Sequence, residues 1–374
     1  MVGREQPEPL QMGAERFEAY ADLVQNRKVG VVANAGSRVG EVHLIDALLE
    51  REVAVHTIFA PEHGFRGKAA AGEEIKDGKD RKTGLTVVSL YGQNKKPSPA
   101  QLEGIEVMLF DLQDVGTRFY TYVSTLSYVL EACAEKGIPV VVLDRPNPNG
   151  DYVDGPVLKP GFESFVGLHP VPVVHGMTLG EYANMARGER WLKGAEQLNL
   201  TVVRCTGWTH SARFAPALPP SPNLPNWEAI RLYPSLCFFE GTDVSIGRGT
   251  DWPFQVVGAP WMETQGFEFK PKKRAEAPQP PHQNEVCYGA DLRAFAGAYM
   301  SVHRGLYWYW LVDAYRQAPD KAGFFNAYFD TLAGTDELRL ALIAGADADD
   351  LARRWKPEIE RFKRKRQAYL LYSD

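Results

Sequence analysis

No run in this chain is apolar for long enough to cross a bilayer, and the opening MVGREQPEPLQMG lacks the apolar core of a secretory leader. Membrane insertion is therefore not expected. As written, the chain reads as cytoplasmic; if a leader has been trimmed, it reads as exported. Cysteine is scarce: Cys133, Cys205, Cys237 and Cys287 are far apart, with no CxxC pair. That spacing supports neither a disulfide framework nor a zinc site, and four buried thiols are the simpler reading. Basic excess is also missing. The net charge is −5, so nucleic acid is not an expected partner. There is no GxGxxG after the first strand, no GxxxxGK[ST], no GxSxG and no HExxH. A dinucleotide, a nucleoside triphosphate, a serine hydrolase and a zincin reading each lose their main support.

What remains is a chain of 374 residues with 44% hydrophobic and 24% charged side chains, which suits two globular domains. From 28 to 144, short apolar β-branched runs alternate with helical spacing. Strands are predicted at Lys28–Ala33, Val53–Phe59, Leu85–Leu90, Val107–Phe110 and Ile138–Leu143, and helices at Glu41–Arg51 and Arg118–Lys136. Near-continuous apolar strands of this kind belong in a parallel sheet covered on both faces. Val171–Val174 and Leu200–Arg204 read as further strands, and Thr178-Leu179-Gly180-Glu181 as a capping box opening a helix. The rhythm breaks at APALPPSPNLPNW, where proline density excludes regular structure. The expected organisation is a flexible start at 1–13, a Rossmann-like α/β domain at 14–218, and a smaller α+β domain at 219–374. In the closing helical segment, Pro357 suits a first turn and the basic run 361–366 a solvated helix face.

The strand ends repeat one theme. Asn34 follows the first strand, and Glu62-His63-Gly64-Phe65-Arg66-Gly67 follows the second. Asp111 to Arg118, then Phe119-Tyr120-Thr121-Tyr122, follow the run 107–110. Asp144-Arg145-Pro146-Asn147 follow 138–143, and His175-Gly176 follow 171–174. In a parallel sheet all these turns lie along one edge, where open α/β proteins bind ligands. Carboxylates, amides and aromatics together suit a carbohydrate: hydroxyls need paired donors and acceptors, and the apolar face of a sugar needs a ring to lie on. Arg66 and Arg118 have the geometry to clamp an anionic substituent. The second domain adds Glu240, Arg248 between two glycines, and Asn223 in the rigid turn PSPNLP.

Plainer readings stand beside these. Asp111 and Asp144 also fit as helix caps or turn braces, and Arg118 as a partner for Asp114. Tyr120, Tyr122 and His175 also fit as satisfied core residues. Glu62, His63, Asp111, Asp114 and His175 are metal-ligand types without regular spacing, so neither a metal nor another cofactor is expected.

FAPEHGFRG, DLQDVGTRFYTY, VLDRPNPNG, SFVG, HGMTLGE, PSPNLP and FEGTDVSIGRGTDWPFQVVGAPW are long, ordered motifs. Together they resemble the exo-β-N-acetylmuramidase family, once a bacterial domain of unknown function, over 30–372. The resemblance implies a Rossmann-like domain, a smaller C-terminal domain and a cleft between them. It also implies removal of a terminal N-acetylmuramic acid from peptidoglycan-derived disaccharides or muropeptides. The lactyl carboxylate of that sugar would give Arg66, Arg118 or Arg248 a purpose. One departure is visible: relatives carry Asn-x-Thr-Gly where this chain reads Asn34-Ala35-Gly36-Ser37-Arg38.

On chemical grounds Glu62 is the expected general acid, with Glu240 or Asp114 as second carboxylate, or with the substrate's own 2-acetamido group attacking. Asn34, His63, Arg66, Arg118, Tyr120, Tyr122, Asp144, Asn147, His175, Asn223 and Arg248 are the expected substrate contacts. The alternative is a binding protein for muropeptides or amino sugars that has lost turnover.

Overall fold

The structure, a computed structural model, describes residues 8–62, 65 and 77–374. His63 and Arg66 lie outside the described residues. Six parallel strands form the main sheet: Val29–Ala33, Val55–Ala60, Thr86–Ser89, Val107–Asp111, Val140–Leu143 and Leu200–Val203. Gly78–Lys79 adds an antiparallel edge. Counted along the chain, the parallel strands lie side by side as third, second, first, fourth, fifth, sixth. This is the doubly wound order, with its direction reversing between the first and fourth strands.

Alternate residues of each strand serve two cores. Val29, Val31, Val107, Leu109, Val141 and Leu143 pack on one face, against Leu44, Ile45 and Leu48 of the helix Leu44–Glu50. Val32, Met108, Phe110, Val140 and Val142 pack on the other, against the helix Tyr122–Lys136. Both faces are apolar because both are covered, which is why these strands read as continuous hydrophobic runs.

The second core does not stop at the sheet. It continues through Phe238, Phe239, Trp308 and Trp355 into the C-terminal region. There a three-stranded antiparallel sheet, with Cys287–Asp291 between Val256–Ala259 and Phe267–Phe269, is accompanied by helices. Among the described residues, no helix is long and apolar enough to cross a membrane.

Two expectations about elements change. Pro172–Val174 is not part of the parallel sheet; it pairs antiparallel with Asp154–Val157 in a separate ribbon. A proline without an N–H donor fits such a two-stranded edge. The helix expected from Arg118 begins instead at Tyr122. Thr117 bridges Val174, and the Arg118 amide donates to the Val173 carbonyl at 2.8 Å, so the chain there is committed to the ribbon.

The closing segment returns to the first domain. The helix Lys356–Arg366 has its proline in the first turn, but Arg366 is not on a solvated face. Its guanidinium is buried and donates to the His175 and Gly176 carbonyls. Beyond it, the Tyr372 hydroxyl donates to Asp144 Oδ2 at 2.6 Å, and the Leu371 amide to Glu181 Oε1 at 2.7 Å.

Candidate active site

A cavity of about 420 Å³ opens where the strand-end turns meet the second domain. Its floor comes from the segment between the fourth strand and the helix Tyr122–Lys136, where Phe119, Tyr120, Thr121 and Tyr122 all line it. Glu62, two residues past the second strand, and Tyr91, two past the third, form one wall. Glu240, Arg248, Phe254 and Tyr328 of the C-terminal region form another, and Ser221 and Asn223 close the rim.

The Glu62 carboxylate is surrounded by hydroxyls. Its Oε2 accepts from Thr121 Oγ1 at 3.3 Å. The Tyr91 phenol is pushed up to about 12, by burial first and then by the charge and hydrogen bond of Glu62. The main-chain carbonyl of Glu62 accepts from the Tyr122 hydroxyl at 3.3 Å. Asn34 in turn donates its Nδ2 to that hydroxyl at 3.1 Å, and Asn34 Oδ1 accepts from the Gly36 amide. Asn34 thus positions Tyr122 from behind the cavity wall. Tyr120 meets Tyr122 edge-on, with ring centroids 4.8 Å apart, and donates to the Pro220 carbonyl at 2.7 Å. Burial raises both phenols above their ordinary range, so they stay neutral donors.

Glu240 sits differently. It lies in the tight helical turn Cys237–Gly241, and Arg248 Nε donates to its Oε1 at 2.6 Å. The Arg248 guanidinium also lies 5.2 Å from the centre of the Phe254 ring. Arg248 can approach this closely because Gly247 and Gly249, both with φ of +80°, flank it. A Cβ at Gly247 would meet the Trp252 carbonyl oxygen at 2.5 Å, and one at Gly249 the Lys272 oxygen at 2.4 Å. The alternating glycines of the Gly-Arg-Gly motif are therefore steric requirements.

Glu62, Glu240, Tyr120, Tyr122, Asn223 and Arg248 thus share one cavity. Asn223 donates Nδ2 to the Glu276 carbonyl at 3.3 Å, while its buried Oδ1 has no partner among the described residues.

Other residues expected in the site lie elsewhere. Arg118 is fully buried and donates to four main-chain carbonyls: Pro156 and Val171 at 2.9 Å, Leu332 at 3.0 Å and Ala333 at 2.6 Å. It ties the ribbon to the C-terminal helices and presents nothing to the cavity. Asp144 accepts from the Thr178 hydroxyl at 2.7 Å, the Gly180 amide at 2.8 Å and Tyr372, a brace for the helix Leu179–Gly188. Asn147 spans the Met177 carbonyl and the Asn149 amide. His175 is buried and accepts from the Met177 amide through Nδ1, and burial lowers it to about 3.

Asp114 also stays off the cavity wall. Its Oδ1 accepts from the Gly116 amide at 2.6 Å, its buried Oδ2 has no partner among the described residues, and burial raises the carboxyl to about 7. Asp111 is held by Arg145, whose Nη2 donates to Oδ2 at 2.8 Å. Among the described residues, no group of three or more His, Cys, Asp or Glu side chains is placed to hold a metal ion.

Tyr91, Lys95, Thr121, Phe165, Tyr233 and Tyr328 line the cavity and were not anticipated. Thr121 stands inside the FYTY motif. Tyr91 has the same signal as Glu62, a polar group just past a parallel strand.

A doubly wound domain, closed by a second domain over a cavity that holds a carboxylate from each and an aromatic wall, has the architecture of a carbohydrate-cleaving hydrolase. Comparison with known proteins narrows this. Residues 29–228 match the N-terminal model of the exo-β-N-acetylmuramidase NamZ family and residues 231–372 its C-terminal model. The chain therefore belongs to the exo-β-N-acetylmuramidase NamZ family.

The chain is 36% identical, over 94% of its length and 89% of the relative's, to the peptidoglycan β-N-acetylmuramidase NamZ of Bacillus subtilis (strain 168). Two crystal structures of DUF1343 family proteins from Bacteroides fragilis NCTC 9343 share the fold. One superposes with a TM-score of 0.91 at 43% identity, covering 98% of this chain and 100% of that one. The other does so with a TM-score of 0.83 at 29% identity, covering 97% and 99%.

Proposed function

We propose that this protein is an exo-acting glycosidase that removes a terminal β-linked N-acetylmuramic acid from peptidoglycan-derived disaccharides or muropeptides. Family membership supports the reaction. The observation that carries the assignment of roles is the contrast between the two cavity carboxylates: Glu62 lies among hydroxyls, and Glu240 is ion-paired with Arg248. A cavity of about 420 Å³ is at the small end of ligand pockets and suits one substituted sugar ring at a chain end.

In this reading Glu62 is the general acid. Its proton passes to the glycosidic oxygen as the bond from that oxygen to the anomeric carbon breaks, and the leaving sugar departs as a neutral alcohol. Thr121 and Tyr91 hold the Glu62 carboxyl toward the cavity. Glu240, fixed by Arg248, is the second carboxylate. It either attacks or activates water at the anomeric centre, or it orients the substrate's 2-acetamido group while the amide oxygen attacks. Tyr120 and Tyr122 supply neutral hydroxyls and a ring edge beneath the sugar, and Asn223 an amide at the rim.

The test is the MurNAc-GlcNAc disaccharide followed by proton NMR. Release of free N-acetylmuramic acid supports the reading, and the anomer formed first separates a double displacement from a single one. Binding of the disaccharide without cleavage would overturn it in favour of a binding protein. Retention of near wild-type kcat by Glu62→Gln on a glycoside with a poor leaving group would remove Glu62 from its role.

A further inference from the structure

N-acetylmuramic acid differs from N-acetylglucosamine by a lactyl ether bearing a carboxylate, and a cation placed for that anion would tell the two apart. Among the described residues, two cations line the cavity, Arg248 and Lys95. Arg248 is engaged by Glu240 through Nε and a second guanidinium nitrogen. Arg118 is spent on main-chain carbonyls. Lys95 is not spent: no carboxylate among the described residues pairs with it.

Lys95 is also held in place. Its Nζ lies 4.6 Å from the centre of the Phe165 ring, and Phe165 itself stacks on Tyr128 with an interplanar angle of 9°. Ser164, Phe165 and Val166 belong to a turn closed by paired main-chain bonds between Ser164 and Gly167. An ammonium over an aromatic face is held by the ring quadrupole and partly shielded from water, and of its three N–H donors those not turned to the ring are free to bind an anion. Lys96, next in sequence, takes the opposite course and pairs with Glu131 and Glu135, both at 3.0 Å.

Resting on the proposed muramidase reading, we infer that Lys95, seated on Phe165, is the specificity-determining residue that binds the ionised lactyl carboxylate. The residue selects the muramic over the glucosamine form of the sugar. The alternative use of an unpaired ammonium here, as a counter-charge to Glu62, predicts a different pattern and is separated by the same experiment.

The experiment measures kcat and KM for 4-nitrophenyl β-glycosides of N-acetylmuramic acid, its lactyl methyl ester and N-acetylglucosamine. The enzymes compared are wild type, Lys95→Met and Lys95→Arg. Methionine keeps an apolar stem on Phe165, and thermal unfolding of each variant reports whether it folds like wild type.

Wild type is expected to prefer the acid over its ester. In Lys95→Met, KM for the acid rises by about 10- to 100-fold, the range for losing a hydrogen bond between charged groups. The ester and the glucosaminide change by less than about threefold, so the preference collapses. Lys95→Arg recovers part of it. Equal losses on all three substrates, carried in kcat, would overturn the inference and assign Lys95 to Glu62. An unchanged acid-to-ester ratio in a folded Lys95→Met would overturn it as well. If wild type cleaves none of the glycosides, the functional reading itself fails, which is a distinct result.

Discussion

The turns after the second and fifth parallel strands use the same kinds of side chain to opposite ends. The second-strand turn presents Glu62 to the cavity with hydroxyls for company. The fifth-strand turn carries Asp144 and Asn147, and both are filled with bonds to the protein itself. The difference lies in what faces each turn. Opposite Asp144 stands the buried start of the helix Leu179–Gly188, with amide and hydroxyl donors that need an acceptor. Opposite Glu62 stands the second domain, with a cavity between. A polar strand end becomes a ligand group only where no neighbouring element has consumed it.

Glu62→Gln tests the open side of this comparison. It should lower kcat by about 10³-fold, about 4 kcal/mol of transition-state stabilisation, while the melting temperature moves by no more than about 2 °C. The reverse pattern is expected for Asp144→Ala. Removing the acceptor of Thr178, Gly180 and Tyr372 should cost about 3–4 kcal/mol in urea denaturation, with KM of the folded fraction within about twofold of wild type. A large KM effect would return Asp144 to the substrate.

Arg118→Met leaves four carbonyls without their donor and should cost about 2–3 kcal/mol. Acid and ester glycosides should be discriminated by that variant as by wild type.

Asp114 gives a pH signature. Its folded carboxyl, raised by burial to about 7, holds a proton that the unfolded chain has already lost above about 4. The folded state therefore binds the extra proton, and stability falls as pH rises from about 4 to about 7, then levels. Compared with Asp114→Asn, wild type should lose about 2 kcal/mol between about pH 5 and pH 7, read from urea midpoints at each pH. Parallel curves would show that the carboxyl is not shifted. The smallest effect belongs to Lys96→Ala. Its partly exposed pairs with Glu131 and Glu135 should be worth less than about 1 kcal/mol, with selectivity intact, in contrast to its neighbour Lys95.

These contrasts also mark what could be read from the chain. The parallel sheet was legible because two apolar cores imprint a continuous hydrophobic run on each strand. The fate of Pro172–Val174 was not, since a three-residue run carries no record of which partner it pairs with. Glu62, Glu240 and Arg248, which share the cavity, stood out in the sequence as charged groups in glycine-containing turns, and around Arg248 the glycines have a local steric reason. Arg118, Asp144 and His175 carried the same kind of signal, yet none of them lines the cavity. Partners of Arg118 and Asp144 lie far along the chain, 228 residues away for Asp144 and Tyr372, and no local pattern encodes that distance. Lys95 was missed for the complementary reason. Its meaning comes from what does not pair with it.

The return of residues 366–373 to the first domain bears on how the chain is made. Asp144, Glu181 and the His210 amide complete their hydrogen bonding only with Tyr372, Leu371 and Ser373. During synthesis the first six strands leave the ribosome long before those residues do. Until they are in place, the buried carboxylates of Asp144 and Glu181 each lack one hydrogen bond of the folded protein. The boundary between the two family segments, near 229, divides the sequence without dividing the folding unit. Residues 371–373 therefore tie the second family segment back onto the first.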